Sequence, residues 1–190
     1  MKKFIVITIL LAVCHCFSAH AQKGTDDRFV SGIRGGWHTA TLLKDGAEPN
    51  EANNLNSFYF GFFSDNKIAP LLYFGKGLEY FQNGLTYTGN SERILHTISV
   101  PLYLKLKLGP VYGLGGIAGN IKVAEKYTLG DYESNPGDDD KSNWFDAPVF
   151  LGAGVKILFV SVEARYHWGL MEVRNDLKSQ YFQLGAAVSF

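Results

Sequence analysis

From Ile98 to Leu108 the chain alternates without a break. Ile98, Val100, Leu102, Leu104, Leu106 and Leu108 form one apolar row. Thr97, Ser99, Pro101, Tyr103, Lys105 and Lys107 form the other. Residues two apart share a face only in an extended strand, so the segment is a strand with one greasy and one polar side. The end of the chain repeats the pattern. Phe182, Leu184, Ala186, Val188 and Phe190 oppose Tyr181, Gln183, Gly185, Ala187 and Ser189. Rows of this length suit strands that cross a bilayer with lipid on one side and a lumen on the other. A soluble barrel would turn the apolar row inward, where eight strands leave room only for packed side chains or one small ligand. Here the small residues, such as Gly152, Gly154, Gly185 and Ala187, lie on the polar rows. The bulky apolar rows therefore fit outside better than inside.

The same period-two reading extends along the chain. Strands are expected at 28–42, 57–64, 70–81, 94–108, 111–123, 145–158, 160–168 and 181–190. Ile33, Trp37 and Thr39 oppose Arg34, Gly36 and His38 in the first; Phe58, Phe60 and Phe62 line one face of the second. Aromatics on both faces of the third leave its facing unassigned. In the sixth, Ala147, Val149, Leu151, Ala153, Val155 and Ile157 oppose Asp146, Gly152, Gly154 and Lys156. In the seventh, Val160, Val162, Ala164, Tyr166 and Trp168 oppose Ser161, Glu163, Arg165 and His167. Polar stretches at 44–56, 82–92, 124–144 and 170–179 read as long loops. Asp65-Asn66-Lys67, Gly109-Pro110 and the residues near Leu158 read as short turns. Long and short connections alternate, which sorts the long loops to one end and the short turns, with both termini, to the other. The expected fold is all-β, an eight-stranded antiparallel up-and-down transmembrane β-barrel. Pro101 cannot donate to a ladder, and a closed barrel has no free edge, so a bulge is expected there.

The first 21 residues read as a cleaved signal peptide. Lys2 and Lys3 precede the apolar run from Phe4 to Val13, and Ala19-His20-Ala21 offers small residues at a peptidase site. The run is too short to span a bilayer as a helix. A single mature domain, 22–190, is expected. Cys14 and Cys16, the two cysteines, both lie in the leader. The mature chain then has no disulfide or thiolate metal site. Losing Lys2 and Lys3 from the 18 basic residues leaves 16 against 18 acidic ones, with no footprint for nucleic acid.

With the apolar rows outward, the interior carries charge. Glu163, Arg165, Lys105, Lys107 and Lys156 are expected to form a lumen network of ion pairs with Glu163 at its centre, because buried charges need partners. Tyr166, Trp168, Tyr80 and Phe81 lie near strand ends and suit an interfacial aromatic girdle.

Several segments resemble the PorT-like outer-membrane β-barrel proteins of Bacteroidetes. They are Gly32-Ile33-Arg34-Gly35-Gly36, Leu71-Leu72-Tyr73-Phe74-Gly75-Lys76-Gly77-Leu78 and Ile98-Ser99-Val100-Pro101-Leu102-Tyr103-Leu104-Lys105. Val111-Tyr112-Gly113-Leu114-Gly115-Gly116, Arg165-Tyr166-His167-Trp168-Gly169-Leu170 and the terminal Phe190 complete them. The resemblance spans nearly all of the mature chain. It departs at Leu71, where the family often has an acidic residue. It implies an outer-membrane barrel and no assigned activity; the short-turn end, with both termini, is then expected on the periplasmic side. Phe190 also looks like the terminal signal read by the outer-membrane assembly machinery.

Chemistry-bearing groups are sparse. His38, His96 and His167 have no metal spacing, and the glycines from Gly113 to Gly119 lack the ending of a phosphate loop. Ser161, Glu163 and His167 share a strand face, but that spacing spreads them over roughly 20 Å, too far for a proton relay. Asp138-Asp139-Asp140 lacks the EF-hand spacing and reads as a solvated loop. No catalytic residue, cofactor or metal is expected. The expected function is a non-enzymatic barrel with a packed polar lumen and four external loops for structure, adhesion or binding. Its expected partners are outer-membrane lipids, the assembly machinery and an unidentified extracellular ligand. An outer-membrane lipid-modifying enzyme and a soluble lipocalin-like carrier are the alternatives.

Overall fold

The computed structural model describes residues 28–44, 52–87, 91–129, 132–134, 143–174 and 177–190. Residues 1–21, expected to be a leader, and the Asp138–Asp140 run lie outside these residues. The elements are β1 (Phe29–Lys44), β2 (Ala52–Lys67), β3 (Leu72–Tyr87), β4 (Ser91–Leu108) and β5 (Val111–Leu129). They continue with β6 (Tyr132–Ser134), β7 (Phe145–Asp146), β8 (Pro148–Ile157), β9 (Val160–Arg174) and β10 (Leu177–Ser189).

Every pairing is antiparallel, and apart from β5 with β8 and the closing pair β1 with β10, the long strands pair with their neighbours in sequence. The chain closes where β1 meets β10, from Gly32 opposite Ser189 to Lys44 opposite Leu177. With β7 and β8 as one stave, this is a closed eight-stranded barrel, as expected. Closure matters because hydrocarbon offers no hydrogen bonds to an open strand edge.

The alternation puts the apolar rows outside. Leu102, Leu104, Val155 and Val188 are 40, 50, 43 and 38% exposed, and Phe58 reaches 79%. A water-soluble carrier would hide these side chains; here they form a lipid-facing belt. Short turns at 68–71, 109–110 and 158–159 cluster with the described start of the chain and its C-terminus. Lys67 N donates to Arg28 O, Ser189 N to Phe159 O and Phe190 N to Ser31 O.

Four expectations are corrected. First, the strands run far into the polar stretches. β2 starts at Ala52, β3 reaches Tyr87, β5 reaches Leu129, and β9 and β10 leave little between Arg174 and Leu177. An apolar row ends where lipid ends, whereas antiparallel pairing continues in water as a polar ribbon. Second, Asp65, Asn66 and Lys67 are not a turn but the end of β2, with Asp65 opposite Gly75. Third, Pro101 makes no bulge. Lys76 pairs with Leu102 and Glu79 with Ser99 in one unshifted register, and the pairs between them drop out. The missing N–H costs rungs rather than register, and the irregularity on β4 lies at His96/Thr97. Fourth, the sixth stave is split at Ala147, just before Pro148.

Candidate functional site

The inward rows converge on the barrel axis, where three layers of side chains follow one another from the short-turn end.

The first layer is basic. Lys105 donates to Asp65 Oδ2 at 2.6 Å. Lys107 lies over the Tyr73 ring at 4.9 Å, and Lys156 donates to Ser189 Oγ at 2.8 Å. The recess they line with Tyr112 and Ser161 holds about 20 Å³, room for little more than a water.

The middle layer is an ion-pair lattice. Arg165 grips Glu79 with both terminal nitrogens, at 2.8 and 3.2 Å. Its Nε lies 3.2 Å from Glu163. Arg34 donates to Glu163 at 3.2 Å, and its Nε lies 3.4 Å from Glu79. Two guanidiniums and two carboxylates thus alternate around the axis, all 5% exposed or less. Tyr112 O–H donates to Glu163 Oε2 at 2.9 Å. Tyr103 links this layer to the first: its oxygen accepts from Arg34 at 2.8 Å and its O–H donates to Asp65 at 2.7 Å. Counting Lys105 and Asp65, three positive groups meet three negative ones. Charge-assisted and bidentate contacts of this kind are the strong ones, and each partner removed leaves a buried charge.

The third layer is aromatic. Phe150, His167 and Tyr181 stack with centroids 4.6 and 4.1 Å apart. His38 and Phe81 stack at 4.6 Å and both lean on Tyr181 at 5.1 Å. Asn120 donates to the Tyr181 oxygen at 3.2 Å, and Asn83 to Ser179 at 2.8 Å. Glycines allow this filling. A Cβ on Gly75 would run into the Tyr103 ring, and one on Gly154 into the Tyr112 ring and hydroxyl.

The structure brings Glu163, Arg165 and Lys105 into the lattice and its basic neighbour layer. Lys107 and Lys156 stay at the mouth, outside the lattice. Arg34, Glu79 and Asp65 were missed. Arg34 lies on the inward parity of β1, so its signal was present. Glu79 was hidden by the aromatics on both faces of β3, and Asp65 by a triplet that reads as a turn. Of the girdle candidates, Tyr166 and Trp168 face outward with rings 4.7 Å apart. Phe81 is corrected: it is fully buried inside the barrel. Tyr80 is half-buried on the opposite face, 2.6 Å from His96 Nδ1. Ser161, Glu163 and His167 fall in three different layers. Among the described residues no three His, Cys, Asp or Glu side chains converge on a metal position.

A filled polar axis inside a greasy wall is the build of a small outer-membrane barrel. The family model for the outer membrane protein beta-barrel domain matches residues 20–175. The chain belongs to this family. Membership places it among Gram-negative outer-membrane proteins. Solved structures that share the fold include the following two. One is Ail, the attachment invasion locus protein of Yersinia pestis, in complex with the heparin analogue sucrose octasulfate. It aligns with a TM-score of 0.52 at 15% identity, over 86% of this chain and 99% of Ail. The other is neisserial surface protein A, with a TM-score of 0.55 at 14% identity, over 86% and 98%. No curated protein matches the chain.

Proposed function

We propose that this outer membrane β-barrel is a non-enzymatic presenter. Its sealed barrel anchors four external loops that bind an extracellular partner or support adhesion. The observation that carries the reading is the filled axis. With the lattice and ring stack occupying the lumen, the accessible polar surface is the ribbons that rise past the belt. The residues with acid–base potential are committed to packing: Glu163 is held by two guanidiniums and Tyr112, and His167 by rings on both sides. That argues against the lipid-modifying alternative.

Within the family, the motifs quoted above favour the PorT-like branch of Bacteroidetes. A leader cleaved after Ala21 delivers the chain, outer-membrane lipids cover the belt, and Phe190 is read by the assembly machinery. Both termini and the short turns face the periplasm, because the longer polar ribbons belong on the cell exterior in such barrels.

The lack of cysteine after residue 21 makes this orientation directly testable. Lys126→Cys, on the exposed β5 ribbon, should react with a membrane-impermeant maleimide on intact cells. Ala69→Cys, in a short turn, should react only after the envelope is opened. The reverse pattern would overturn the orientation and, with it, the outward presentation.

A further inference from the structure

One stave of the barrel is built in pieces. The stave formed by β7 and β8 is interrupted at Ala147, before Pro148, and β7 is two residues long. Its last rung on the β5 side pairs Phe145 with Ile121, while β5 itself continues to Leu129. On the other side Pro148 lies opposite Gly169, and β9 continues to Arg174 alongside β10. Further along, the same edge of β5 pairs with β6, from Tyr127 to Leu129. Lys122 N–H donates to Trp144 O at 2.8 Å and ties the chain just before β7 to β5.

Beside β7 lies a shallow cleft of about 550 Å³ lined by Asn143, Trp144, Phe145, Leu170, Met171 and Lys178. Trp144 is 67% exposed and Leu170 58%. Leu170 continues the outward row of Val162, Tyr166 and Trp168, so the cleft's apolar floor is the upper edge of the lipid-facing belt. Tyr166 and Trp168 lie just below it, at the depth where amphipathic rings meet headgroups. Lys178 stands exposed at the rim, and a lysine at that depth attracts anionic headgroups. A greasy floor continuous with the bilayer, topped by a cation, fits an amphiphile whose chain enters from the membrane and whose charge stays at the surface.

The geometry points to a lipid-binding cleft: it holds one anionic, phosphate-bearing lipid of the outer leaflet, with the acyl chain against Trp144, Phe145 and Leu170 and the phosphate at Lys178. The inference rests on the membrane reading of the belt and, for the leaflet, on the orientation proposed above, and not on the presenter role.

The three tryptophans make a direct test available. Trp37→Phe with Trp168→Phe leaves Trp144 as the reporter. The full mature chain is reconstituted in phosphatidylcholine vesicles containing a minor fraction of bromine-labelled lipid, either phosphatidylglycerol or phosphatidylcholine. Heat-modifiable migration on gels confirms a closed barrel in each sample. Brominated phosphatidylglycerol should quench Trp144 at about one-fifth the concentration that brominated phosphatidylcholine requires, the preference expected from one cation at the interface. Lys178→Gln should abolish that preference, and Lys126→Gln, on the neighbouring ribbon, should leave it intact. Equal quenching by the two lipids, or a preference that survives Lys178→Gln, would overturn the assignment. Loss of the preference in Lys126→Gln would also overturn it, by showing a diffuse surface charge in place of a site.

Discussion

At the scale of single residues, the lumen is a set of mutual obligations. Glu163 neutralises Arg34 and Arg165 at once and accepts from Tyr112. Glu163→Gln keeps the shape and removes the charge, leaving two guanidiniums with Glu79 as their shared carboxylate. Breaking a buried pair in this way costs about 3–5 kcal/mol. Urea unfolding of the vesicle-inserted barrel should therefore show a markedly lower midpoint with an unchanged slope. Tyr103→Phe is milder: the ring still fills its place against Gly75, but Arg34 and Asp65 each lose a partner. About 1–3 kcal/mol should be lost in the same measurement, and a loss as large as that of Glu163→Gln would show that the hydroxyl does more than bridge. Neither substitution touches the lipid-facing surface, so membrane insertion should persist in both.

At the scale of elements, each stave has two parts with different solvents. The belt half alternates strictly because one face meets hydrocarbon. The ribbon half only has to satisfy its backbone, and water relaxes the demand on its side chains. The β3–β4 hairpin shows the division: it stays paired from Asn83 opposite Leu95 up to Tyr87 opposite Ser91. Replacing residues 85–93 with an Asn-Gly turn should leave a closed, heat-modifiable barrel, with less than about 1 kcal/mol lost, since surface changes away from packed features are usually small. A comparable cut into the belt rows would open the ladder in lipid and should prevent folding. The prediction fails if the trimmed hairpin no longer shifts its migration on heating. Pro101 is instructive at this scale too. In the belt, a missing donor is tolerated as lost rungs beside Gly77, because a register shift would turn every following side chain to the wrong face.

At the scale of the whole molecule, closure and filling together decide what the protein can do. Planar-bilayer recordings of the purified barrel should show no discrete conductance steps, because the ion-pair lattice and the ring stack close the axis. Stable openings of uniform size would contradict the sealed lumen and the presenter role together. Phe190 separates folding from delivery. It is terminal and 79% exposed, and its backbone N–H holds Ser31 O. Phe190→Ala should leave unfolding in vesicles within about 0.5 kcal/mol of the parent. In cells the amount of barrel in the outer membrane should fall. Equal amounts of both proteins there would remove the residue from any assembly signal.

Much of this molecule was legible in the order of its residues, and the physical reason is the membrane. Alternation two by two survives only where the two faces of a strand meet different media, so Ile98–Leu108, Val160–Trp168 and Phe182–Phe190 declare both strand and facing. The sorting of connections follows from the same rows, and with it the eight-stranded barrel. Where both sides of a segment meet water, as in the ribbons up to Tyr87, Leu129 and Arg174, no contrast marks the strand. The interior was legible one wall at a time: Glu163, Arg165 and Lys105 could be placed on inward rows. Which residues answer them depends on who stands across the axis. Only closure brings Arg34 of β1 to Glu163 of β9, Glu79 of β3 to Arg165, and Asp65 at the end of β2 to Lys105. Likewise, only the fold brings Trp144 and Phe145 beside Leu170 and Lys178. Sequence sets the face of each side chain through local geometry; tertiary structure sets its partner, because partners here lie on strands far apart in the chain.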